Sequence, residues 1–254
     1  MPFTFSHPAV IIPFRYIGKK YFSITGLIIG SIIPDFEYFI RVQNRSRFSH
    51  TWDGVFWFDL PLALFTCFLF HTLIKGPLIG NLPFILHSRF SRFCQFNWNK
   101  YFQKNWKVVI YSILIGVFTH LISDKITHKS SNLVNSVPGL IENQELIDNP
   151  KSVYRLIQIT YSIIGLLLCL FTIWQLPVDK RIDYSKPDIR YWLILFCSFA
   201  IMLVMIILKQ GLIRFDMIVG PISSLIVAFI FTSLIVLPGK RLIVMRRYAP
   251  KQFK

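Results

Sequence analysis

The stretch VVIYSILIGVFTHLISDKITH, residues 108–128, decides the class of fold. From Val108 to Thr119 it carries no charge. At 1.5 Å rise per residue, a helix of this length spans about 30 Å, the thickness of the hydrocarbon core of a bilayer. Its remaining residues do what a plain anchor avoids, placing His120, Asp124 and His128 four apart. Five further stretches, 21–40, 52–74, 153–177, 191–208 and 217–237, are similarly apolar. The 254-residue chain is 54% hydrophobic and only 16% charged, against about a quarter charged in average soluble proteins. The expected fold is therefore all-α: a polytopic membrane bundle of about six long hydrophobic helices.

The formal charge of +16 raises nucleic acid as a partner. No DNA- or RNA-binding motif accompanies it, and the basic residues fall between the apolar runs, as in cytoplasmic loops that face anionic lipid. Membrane lipids, not nucleic acid, are the expected partners. With six crossings and the amino terminus inside, the inner connections hold 19 Lys and Arg and the outer ones 7. Both termini are thus expected in the cytoplasm, with RLIVMRRYAPKQFK (241–254) as the strongest anchor. Cys67, Cys94, Cys169 and Cys197 form no C-x-x-C pair, which indicates neither a disulfide framework nor a thiolate metal site. The start, MPFTFSHPAVIIPFRYIGKK, lacks a charged region ahead of its apolar piece and a small-residue cleavage site, so no cleavable signal peptide is expected.

The apolar stretches are of two kinds. The last three hold a single ionisable residue, Arg155, near a helix end where it can reach the interface. The first three and their flanks hold Asp35, Glu37, His50, Asp53, Asp59, His71, His120, Asp124, Lys125 and His128, groups that are costly at membrane depth unless paired or hydrated. The expected organisation is a helical, metal-site-like half over residues 1–150 and an anchor half over 151–254, within one membrane domain. Residues 129–152, with Glu142, Glu145 and Asp148, read as an exposed loop.

On a helix each step of four residues turns 400°, so His120, Asp124 and His128 share one face. They can present imidazole and carboxylate to one cation, or pair separately with neighbouring helices, Lys125 and the interface. In GSIIPDFEYF, Pro34 interrupts the apolar run just before Asp35, with Glu37 two residues on. A carboxylate at a broken helix is aimed at a ligand, or else it sits at the positive end of a helix dipole. In FSHTWDG, capping by Ser49 or Thr51 and a first-turn Asp53 account for everything except His50. Asp59 and His71 add a polar seam to the helix that follows, as groups that orient ligands. His87, in a basic loop, is expected to face lipid or solvent. His7 stands alone.

The elements MPFTFSHPA, PDFEYF, SHT and THLISDKITH together resemble a bacterial membrane-protein family of unknown function, over about the first half of the chain. More distantly, their order is similar to the YdjM-like membrane-bound metal-dependent hydrolases, relatives of zinc phospholipase C and P1 nuclease. That resemblance implies a bacterial inner-membrane location and an all-α bundle, and puts His7, Asp35, His50, His120 and Asp124 on one or more metal ions. The chain lacks the amino-terminal Trp and the second H-x-x-x-E pair of the soluble enzymes.

The resulting expectation is a divalent-metal-dependent hydrolase of phosphoester or lipid-headgroup substrates. Zinc is favoured by the imidazole ligands. His7, Asp35, His50, His120, Asp124 and His128 are expected to be ligands, and Glu37 or Asp59 to orient a ligand or act as base. An ion-coupled transporter and a non-catalytic scaffold are the alternatives. In the six-crossing arrangement His7 lies on the wrong side of the membrane to be a ligand, unless the amino-terminal segment re-enters the bilayer.

Overall fold

The computed structural model describes residues 2–17, 20–127, 150–179, 184, 186–211 and 215–247, and no strand occurs among them. In chain order the helices are α1 (Pro8–Ile11), α2 (Ile24–Ile32), α3 (Phe36–Arg41), α4 (Trp52–Gly80), α5 (Phe84–Phe90), α6 (Trp98–Thr127), α7 (Pro150–Trp174), α8 (Ile189–Gln210) and α9 (Val219–Arg247). Five of them contain stretches long and apolar enough to cross a membrane: Trp52–Gly80, Trp98–Thr127, Tyr154–Trp174, Ile189–Gln210 and Val219–Val236.

The sixth expected stretch, 21–40, is broken. Ser23 caps α2 by accepting a hydrogen bond from the Gly26 N–H. Pro34, which has no N–H to donate and a ring that crowds the preceding turn, lies in the 3-10 turn Ile33–Asp35. What remains is a nine-residue helix and a six-residue one, neither long enough to span.

The chain forms two compact units interleaved in sequence. The first comprises Met1–Asp35, Arg47–Leu64 and Trp106–Gln175. Within it α2 lies along α6 with both chains rising together: the Ser23 N–H donates to Ser112 Oγ at 2.9 Å, while the Ser31 carbonyl meets His120 Nδ1 at 2.8 Å. Glycine permits the approach, since a Cβ on Gly30 would stand 2.2 Å from Ile113 O and one on Gly116 2.5 Å from Leu27 O. Eight residues of α6 separate Ser112 from His120, about 12 Å along the axis. His7 stacks on the His120 ring, so the chain descends from His7 to Ser23 and climbs back to Asp35. Residues 7–35 are a hairpin that enters and leaves at the same end of α6. Its outer flank is α7, where Ser162 Oγ accepts from the Phe3 N–H at 2.8 Å and Gly165 admits the Ser6 backbone.

The second unit comprises Phe36–Ser46, Phe65–Asn105 and Leu176–Lys254. There α8 and α9 pack together. Buried Asn81 ties the start of α8, accepting from the Asp188 N–H on its side chain and from Trp192 Nε1 on its carbonyl, both at 3.0 Å. His71 stacks on Trp98 with ring centroids 4.6 Å apart. His87, expected to face lipid or solvent, is instead buried, with its ring against Tyr184, because α5 folds it inward. Cys94 is half-buried, and that burial pushes its thiol up to about 11, so it is a thiol rather than a thiolate at neutral pH.

Candidate metal centre

The site assembles where the hairpin returns. Asp35, at the end of the turn made by Pro34, is fully buried; Thr4 Oγ1 donates to its Oδ2, and its Oδ1 has no hydrogen bond. His120, on α6, is equally buried, and its Nδ1 meets the Ser31 carbonyl. A carbonyl only accepts, so Nδ1 carries a proton, and in the neutral ring Nε2 then offers a lone pair. That Nε2 forms no hydrogen bond, yet lies 3.5 Å from Asp35 Oδ1 and 3.4 Å from Asp124 Oδ2.

His50 arrives from the segment leading into α4. Thr51 caps that helix, accepting from the Gly54 N–H at 3.0 Å, and Gly54 allows the Phe48 carbonyl to lie where a side chain would otherwise stand. The tight path puts His50 at φ 66°, a left-handed conformation unusual for a residue with a Cβ and of a kind that gathers at functional sites. Its Nδ1 bonds the Ser49 hydroxyl at 3.0 Å, and its Nε2 lies 3.8 Å from Asp35 Oδ1 and 3.3 Å from Asp124 Oδ2. The other oxygen of Asp124 faces His7, with Oδ1 to Nε2 at 3.7 Å. His7 stacks on His120 at a centroid distance of 4.0 Å, and neither of its ring nitrogens is hydrogen-bonded. Burial, and then the His120 ring beside it, pull its imidazole down to about 4, so it is neutral at pH 7.

Asp35, Asp124, His50 and His120 can each offer one atom such that all four lie within 4.8 Å of one another. For His120 this sets a lone pair against carboxylate oxygens, which repels unless a proton or cation comes between them. The spacing suits a cation. Ligands about 2.1 Å from a zinc ion at tetrahedral angles lie about 3.4 Å apart; the four imidazole–carboxylate contacts run from 3.3 to 3.8 Å, and all four ligand atoms lie within 4.8 Å of one another. Two carboxylates and two imidazoles, some tied through their far atom to a hydroxyl or carbonyl, are the donor set of zinc and similar divalent ions.

Of the residues expected from sequence, His7, Asp35, His50, His120 and Asp124 come together. Glu37 belongs to the second unit, where its Oε1 faces Arg41 Nη1 at 3.4 Å. Asp59 is buried on the π-helical turn Val55–Asp59, which packs on Ile33–Asp35, outside the group of four. His128 lies outside the described residues. Three contributors went unexpected: Thr4, the Ser31 carbonyl, and α7, whose Tyr161 ring lies 5.8 Å from that of His7. Gln158, Tyr161, Ser162 and Gly165 follow the i, i+3, i+4, i+7 spacing of one helix face, and that stripe was the available signal for α7. No curated protein and no solved structure matches the chain. A family model does, over residues 1–238, and the chain belongs to that family, a domain of unknown function designated DUF4184.

Proposed function

We propose that the chain is a membrane-embedded, divalent-metal-dependent hydrolase of phosphoester bonds, its substrates being lipid headgroups or other phosphoesters at the bilayer edge. Asp35, His50, His120 and Asp124 hold the ion, zinc by preference, and His7 completes the centre through Asp124. One observation carries this reading. Asp35, His50 and His120 each have one polar atom engaged by Thr4, Ser49 or Ser31 and the other turned toward the same point. A cation there would lower the pKa of a bound water toward 7 and stabilise charge on the attacked phosphoryl group. Asp59, behind the turn that carries Asp35, is the acid best placed to steer that ligand or to act as base. Substrate approaches from the side of His50, the most open of the five with 18% of its side chain exposed.

A transporter calls for acids and imidazoles spread through the depth of the membrane; four ligand atoms within 4.8 Å favour one fixed site. A scaffold could pair these imidazoles and carboxylates with one another; its closed hydrogen bonds are not formed at Nε2 of His120 or Oδ1 of Asp35, whose imidazole–carboxylate contacts run from 3.4 to 3.8 Å. The location that fits is the bacterial cytoplasmic membrane. Elemental analysis of the detergent-purified protein tests the centre: about one or more equivalents of zinc, manganese or iron are expected, mostly lost in His120→Ala and Asp124→Asn. Folded parent protein free of all three metals would refute the proposal.

A further inference from the structure

The metal ligands account for one wall of the site, but α7 supplies another. Two contacts fix it against the amino-terminal segment: the hydrogen bond from the Phe3 N–H to Ser162 Oγ, and Gly165, whose Cβ would stand 2.7 Å from Ser6 O. Tyr161, on the same face, sets its ring at 51° to the ring of His7, with centroids 5.8 Å apart. Its hydroxyl is closed off from solvent and makes no hydrogen bond of standard geometry. Ser123 is a polar neighbour, and the charge of Asp124 is felt at the phenol. Ser123 donates its own proton to Thr119 O at 2.8 Å, so toward Tyr161 it can only accept, and the phenol makes no hydrogen bond of standard geometry to it. A buried hydroxyl without a proper partner is costly, and this one borders a cluster made of carboxylates and imidazoles. Those groups can hold a cation; beside it, the N–H of the neutral His7 ring and the Tyr161 phenol are the donors available to the oxygens of a bound anion.

We infer that Tyr161 is a hydrogen-bond donor to the substrate, its phenol O–H donating to a non-bridging phosphoryl oxygen held at the centre. The inference rests on the reading of the cluster as a phosphoester-hydrolysing metal centre. It assigns to a helix that looks like plain anchor the recognition of an anionic, phosphate-class group.

The test uses full-length, zinc-loaded protein in detergent with inorganic phosphate as the probe, comparing the parent with Tyr161→Phe by calorimetric titration, alongside zinc content and thermal midpoint. Tyr161→Phe keeps the ring and removes only the donor. The expected result is phosphate affinity about 10-fold weaker, with zinc content unchanged, and a loss of about 10–1,000-fold in kcat for a hydrolysable phosphoester. A Tyr161→Phe variant that binds phosphate like the parent overturns the inference and leaves the metal centre standing; a hydroxyl serving Ser123 alone would give that result with a lowered thermal midpoint. Zinc-loaded parent that binds no phosphate overturns it as well. Parent that takes up no zinc refutes the underlying reading, and this inference with it.

Discussion

The hydroxyl of Thr4 ends on Asp35 Oδ2 and so decides which oxygen of that carboxylate faces the cluster. Thr4→Val is expected to lower zinc affinity about 10–100-fold with the fold retained, the usual cost of losing a group that orients a ligand. Chelator competition measures this, and Thr4→Ser should restore the affinity. Equal affinity in Thr4→Val would show that the bond does not matter to the ion. His120 and Asp124 were legible in sequence because four-residue spacing puts them on one face. His7 was legible only through the family resemblance, since its neighbours His120 and Asp124 come from a remote part of the chain and no local periodicity links them. Asp35 was legible through Pro34. The role of Ser31 was invisible, because the group used is a backbone carbonyl, which every residue possesses.

At the level of elements, the contact between α2 and α6 rests on missing side chains. Gly30→Ala forces a Cβ to within 2.2 Å of Ile113 O, and Gly116→Ala one to within 2.5 Å of Leu27 O. Each substitution should destabilise the protein by about 1–3 kcal/mol and loosen bound metal, because Asp35 and His120 ride on the two elements brought together. A Cβ on Gly76 meets nothing within 4 Å, so Gly76→Ala is the control, expected to be neutral or to stabilise by up to about 1 kcal/mol. Thermal unfolding in detergent compares the three. A Gly30→Ala protein as stable as the Gly76→Ala control would mean that α2 and α6 are not held this closely. The long helices were legible because length and apolar composition are sufficient signals for them. The break in 21–40 was legible at Pro34; the placing of α2 against α6, through the Ser23 N–H and Ser112, is a contact that no local pattern records.

Over the whole molecule, five membrane-capable helices and a returning hairpin alter the expected sidedness. Six crossings would return the chain to its starting side, whereas five would leave its two ends on opposite sides. With five crossings the inner side would be favoured only narrowly: 81–97, 175–188 and 237–254 hold 11 Lys and Arg, against 9 in 1–51, 128–153 and 211–218. Reporter fusions at residue 90 and at the carboxyl terminus are therefore expected to read cytoplasmic, and fusions at residue 140 and at the amino terminus to read external. A cytoplasmic amino terminus, combined with an external residue 140, would require a sixth crossing and displace His7 from the cluster. The hairpin also orders events during synthesis. A nine-residue α2 is too short to hold a place in lipid by itself, and the groove that receives it belongs to α6, which leaves the ribosome many residues later. The beginning of the chain must wait, unplaced, for its middle, and any early release of the nascent polypeptide before α6 emerges strands Asp35 and His7 without the partners that give them a purpose.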